Sequence, residues 1–213
     1  MLSRSLAYIQ ANEALFWRAL SIHVSLSVLA LAIACALCVP LGIYVARRRP
    51  LSGPLLATFS GLRVVPSLAI LFVAVPYLGL GFWPALVALM VLGCPPILIN
   101  TEAAFRGVDP GVLEAARGMG MTARQILWRI EAPLALPVLV AGVRTASVDV
   151  FASATLAAFI GGGGLGDFIA RGFALFDTSI MLVGAIPVAI LTLSAEGVLA
   201  GVERAVARLS HGA

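Results

Sequence analysis

Residue types that could carry chemistry are few in this chain, and their spacings can be tested one by one. Cys35 and Cys38 spell C-x-x-C, the spacing of a redox pair or of half a zinc site, and Cys94 stands apart. The sequence is uncharged from Ala19 to Ala46, so the pair lies inside an apolar run, where thiols serve as small packing residues. An odd count of three cysteines gives no disulfide framework. Zinc needs further ligands, and the two histidines are His23 and His211. On one helix His23 lies roughly 18 Å from Cys35, too far to share a metal. Gly161, Gly163 and Gly166 satisfy G-x-G-x-x-G, but that dinucleotide fingerprint needs a preceding strand in a βαβ unit, and here it follows an apolar run. All 14 basic residues are arginine, which removes a P-loop lysine and Schiff-base chemistry. A protease would need H-E-x-x-H or G-x-S-x-G, and neither occurs. No catalytic residue, metal or cofactor is expected.

The elements that would position these groups are set by composition. Of 213 residues 61% are hydrophobic and 11% charged, with mean hydropathy +1.06, far from the roughly one-quarter charged residues of a soluble domain. The chain therefore reads as an all-α, polytopic integral membrane protein. A lipid core takes about 20 apolar residues to cross as helix, and about five such stretches occur: 19–46, 51–77, 84–101, 133–160 and 178–200. The first starts too late and runs too long for a cleaved signal and is read as retained. Gly79 to Pro84 makes a turn between the second and third, with Tyr77, Phe82 and Trp83 read as an interfacial aromatic belt.

Orientation follows from the arginines. Arg47, Arg48, Arg49, Arg106, Arg117, Arg124, Arg129, Arg204 and Arg208 fall after the first, third and fifth stretches, against Arg4, Arg18 and Arg171 on the other side. The positive-inside rule puts the N-terminus outside and the C-terminus inside, and accounts for the net charge of +4. Arg63, Arg144 and Asp149 fall within the stretches, where a charge costs at least about 2.5–3.5 kcal/mol on insertion scales. They face protein or water, either as a polar pathway or, preferred here, as an inter-helix pair such as Arg63 with Asp149. The glycine run at 161–166 is read as a flexible outer turn, with a hinge contacting an external protein as the alternative.

Between the third and fourth stretches the sequence is more specific. Asp109-Pro110 offers an N-cap with proline in the first turn, and Thr122 with Gln125 offers a capping box for a second short helix. Gly118 and Gly120 supply the break, and Pro133 is expected to end the second helix. Two short helices joined at a glycine on the cytoplasmic face form a knob suited to a partner's groove. The same pattern suggests a DNA-binding helix-turn-helix, but its four arginines are balanced by Glu102, Asp109, Glu114 and Glu131, leaving no charge for phosphate. No nucleic-acid partner is expected.

These residues resemble a known family, the membrane permeases of binding-protein-dependent ABC importers, whose cytoplasmic loop carries E-A-A-x3-G-x9-I-x-L-P. Here Glu114, Ala115, Ala116, Gly120, Ile130 and Pro133 stand at that spacing, with Ala132 in place of leucine. The resemblance implies one transmembrane domain over 1–213 and a coupling loop at about 105–132, whose helix from about Asp109 to Glu131 inserts into a separate ATPase. It also implies an extracytoplasmic binding protein, a second permease subunit, identical or paralogous, and a place in the bacterial inner membrane. The chain itself then performs no ATP chemistry.

Within that family Pro66-Ser67-Leu68-Ala69, Ala115 to Met121 and Ile160 to Gly166 are similar to the glycine betaine, choline and osmoprotectant subgroup. Methionine permeases share much of the glycine-rich segment, so an amino-acid substrate is the alternative. A membrane scaffold without transport is the reading from another class, and a co-purifying ATPase separates it from an importer.

Overall fold

Lipid leaves backbone polar groups no partner but one another, so uncharged runs become long helices. The computed structural model describes residues 1–211. Among them the helices are α1 (Leu2–Ala11), α2 (Glu13–Ala46), α3 (Arg49–Leu62), α4 (Ser67–Leu78), α5 (Phe82–Arg106), α6 (Pro110–Gly118), α7 (Ala123–Ile126), α8 (Ala132–Ser153), α9 (Gly166–Ala174) and α10 (Thr178–His211). A π-helical turn at Leu127–Glu131 joins α7 to α8, and a 3-10 turn at Ala154–Ile160 follows α8. Four segments are long and apolar enough to cross a bilayer: Glu13–Ala46, Phe82–Arg106, Ala123–Ile160 and Thr178–Arg208.

The expected second span, 51–77, is not one straight helix. It is a pair, Pro50–Leu62 and Ser67–Leu78, bent by 95°. Pro66 is the physical cause: its ring disfavours helical backbone at Val65, so the chain leaves the helix before the proline and restarts at Ser67. Each half is too short to cross alone, and together they make one broken span.

Helix α5 lies at the centre. Leu86, Leu89, Ile97 and Leu98 are buried against Leu26, Ala30 and Ala34 of α2 and Ala146 and Val150 of α8. Small residues allow this approach: a methyl at Gly142 would lie 2.5 Å from Asn100 Cβ, and one at Gly42 2.7 Å from Thr101 Cβ. Cys38 and Cys94 are free, buried and part of the same packing, with Cys35 at its edge. Glu102, in the last turns of α5, is buried and accepts hydrogen bonds from Ser52 Oγ at 2.8 Å and Arg106 Nη2 at 2.6 Å, which ties the start of α3 to α5.

The two ends of the bundle differ in character. At one, Arg47 pairs with Glu131, so the arginine-rich ends of α2 and α5 meet the α6–α7 segment; by the positive-inside rule this end is cytoplasmic. At the other, α1 docks through Ser5 Oγ donating to the Ser179 carbonyl at 2.8 Å, and Tyr8 meets Phe168 edge-on. The glycine run lies here too, and it is not the loose turn expected. Gly161, Gly163 and Gly164 have positive φ, Gly81 N–H donates to the Ile160 carbonyl at 2.8 Å, and Gly166 abuts the Thr155 backbone too closely for any side chain. The glycines are needed because the turn is tightly packed.

Candidate functional site

The cytoplasmic knob is built by its caps. Asp109 Oδ1 accepts from Gly111 N–H at 2.7 Å and starts α6, whose Pro110 loses no hydrogen bond in the first turn. Ala116 is fully buried, whereas Glu114 and Ala115 are exposed. Gly120 ends the helix with φ +78°, which lets Met121 N–H reach back to the Ala116 carbonyl at 3.2 Å. Gly118 remains inside α6, so the break rests on Gly120 alone. Thr122 and Gln125 then form the expected reciprocal cap, at 2.8 and 3.3 Å.

Pro133 does not end the second helix. The chain runs without a break from Ala123 to Ile160, and the π-helical turn at Leu127–Glu131 sits just ahead of the proline. Pro133 has no N–H to donate and its ring crowds the preceding turn; the wider π turn relieves both. The six motif residues are therefore split: Glu114, Ala115, Ala116 and Gly120 stand on the knob, while half-buried Ile130 and exposed Pro133 stand where the fourth span begins. A cavity of about 770 Å³ separates the knob from the ends of α2 and α5, lined by Arg47, Arg106, Leu113, Arg117 and Glu131 among others. The outer surface of the segment is mixed, with exposed Val112, Met119 and Trp128 beside the charged Glu114 and Arg124.

A second group of polar residues lies inside the membrane region. Arg144 of α8 donates from Nε to Glu196 Oε1 at 2.6 Å and from Nη1 to Glu203 Oε2 at 2.8 Å, both on α10. Sequence reading missed these partners, although Glu196 falls inside the fifth apolar stretch. The signal was there: two acids seven residues apart share one helix face. The expected contact pair of Arg63 with Asp149 is not formed. Instead the two line one cavity of about 380 Å³, with Ser67, Pro95, Pro96 and Ser153. Asp149 also lines an adjoining cavity of about 510 Å³ with Arg144, Thr145, Thr192 and Glu196. His23 is buried and donates from Nε2 to the Phe151 carbonyl at 3.2 Å, a bond that holds α2 to α8. Among the described residues no cluster of His, Cys, Asp or Glu could hold a metal.

A helical bundle with one broken span, charges on an open intramembrane face and a capped cytoplasmic helix pair has the build of a membrane transport subunit. Residues 38–208 match the family described as binding-protein-dependent transport system inner membrane component, and the chain belongs to that family. It is therefore a multi-pass inner-membrane permease. It is 44% identical over 187 residues to the carnitine transport permease protein OpuCB of Listeria monocytogenes, covering 88% of this chain and 84% of that one. It is 41% identical to the choline transport system permease protein OpuBB of Bacillus subtilis, covering 85% and 84%. To the glycine betaine/carnitine/choline permease protein OpuCB of the same organism it is 37% identical, covering 96% and 94%. Among solved structures the inward-facing MetNI methionine ABC transporter superposes with TM-score 0.83 over 92% of this chain and 98% of that one, at 22% identity, a likeness of fold.

Proposed function

We propose that the chain carries a compact quaternary ammonium osmoprotectant, such as glycine betaine, choline or carnitine, across the inner membrane in an ATP-driven importer. The observation that carries this reading is the identity of 37–44% over most of the chain with permeases named for those compounds. The whole chain acts as one transmembrane domain, and the segment from about 105 to 132 couples it to an ATPase. In that role Glu114, Ala115, Ala116 and Gly120 present the docking surface, and Ile130 and Pro133 join it to the fourth span. The exposed Val112 and Met119 suit a groove, and Glu114 and Arg124 fix its register. ATP-driven closure of the ATPase pair moves the knobs and switches the cavity between inward- and outward-facing states. An external binding protein delivers substrate, and a second permease, identical or paralogous, faces the polar side of the bundle.

Uptake tests the substrate. Cells lacking other osmoprotectant carriers, expressing this chain with its ATPase and binding protein, are expected to accumulate labelled betaine, choline or carnitine. Accumulation of methionine with none of these would overturn the substrate class and leave the importer.

A further inference from the structure

The charges along the membrane-spanning segments fall into two groups. Arg144 is held by Glu196 and Glu203, and Glu102 by Ser52 and Arg106. Arg63 and Asp149 are different: among the described residues neither side chain makes a hydrogen bond or a direct ion pair, and both residues are exposed. Arg63 stands in the break between α3 and α4, Asp149 on α8, and Pro95 and Pro96 near the middle of α5 line the cavity with them. Ionised groups at mid-membrane depth do not face lipid; they face water or a polar ligand.

The chemistry of this cavity is bipolar, with one guanidinium and one carboxylate among its lining residues and a volume of about 380 Å³. Volumes of roughly 300–1,000 Å³ are those of small-molecule sites. No Phe, Tyr or Trp lines it, so a cation there is recognised by charge alone. We propose that the Arg63–Asp149 cavity is a transit site for a zwitterion, in which Arg63 receives a carboxylate and Asp149 faces a quaternary ammonium. The proposal rests on the osmoprotectant reading and refines it: betaine and carnitine carry both charges, choline only the cation. A quaternary ammonium has no N–H to donate, so Asp149 holds it by Coulomb attraction without fixed geometry. Such weak holding suits a site that substrate must also leave.

The test uses the complete importer, permease with ATPase and binding protein, in proteoliposomes, reading initial uptake of labelled betaine, carnitine and choline. Arg63→Gln should lower betaine and carnitine uptake by about tenfold while choline stays within about twofold, the loss of a charge-assisted contact. Asp149→Asn, which keeps size and shape, should lower all three, and the charge-swapped Arg63→Asp/Asp149→Arg protein should remain impaired. Binding-protein-stimulated ATP hydrolysis retained in each variant confirms assembly. Equal loss of all three substrates in Arg63→Gln, wild-type uptake in Asp149→Asn, or full uptake by the swapped protein would overturn the site while leaving the importer. A wild type that takes up none of the three overturns the osmoprotectant reading and the site with it.

Discussion

Gly120 has open space around the position a side chain would take, so its requirement is conformational: an L-residue at φ +78° costs about 1–2 kcal/mol. Gly118, two residues earlier, is helical and also open. The two therefore contrast a position with a strained backbone against one without. Gly120→Asp is expected to abolish uptake while membrane abundance, read by immunoblot, stays normal; Gly118→Ala is expected to be silent in both. Normal uptake by a well-expressed Gly120→Asp protein would remove the turn from coupling. The caps at Asp109 and Thr122 were legible in the sequence because they act over two or three residues. The partners of Arg144 were not, because Glu196 and Glu203 lie more than fifty positions away and only the packing of α8 on α10 brings them near.

At the scale of elements, apolar runs located the spans, since crossing lipid constrains length more than sequence, but polar ends hid up to ten residues of helix, as at 123–132 and 201–208. Two features escaped that signal. The break at Arg63–Pro66 lies in a run whose hydropathy is high on both sides, so a window averages over it. The passage through Pro133 reads as a stop by proline alone, and only the π turn ahead of it lets the helix continue. That turn holds one residue more than an α-turn needs. Deleting Trp128, which is exposed, should remove that extra residue, convert the turn to ordinary helix and leave the knob facing as it does relative to α8. The expected result is a protein that inserts normally and still links ATP hydrolysis to uptake; lost coupling after the deletion would show that the wider turn itself takes part in coupling.

For the whole molecule, sidedness is the property on which every role depends. In a variant with all three native cysteines replaced by alanine, single cysteines at Ser3, Arg124 and Ala205, all exposed in the structure, report it. An impermeant maleimide applied to intact cells should label Ser3→Cys and neither of the others; labelling at Arg124→Cys would invert the topology and detach the knob from the cytoplasm. The unbroken helix from Ala123 to Ile160 has a mechanical consequence as well. It is clasped to α2 twice, through Arg47 and Glu131 near the cytoplasmic end and through His23 and Phe151 about 30 Å further along. A rod pinned to its neighbour at two separated points cannot swing on either. The two helices therefore tilt together as one girder, and a thrust at the cytoplasmic tip is passed along it whole.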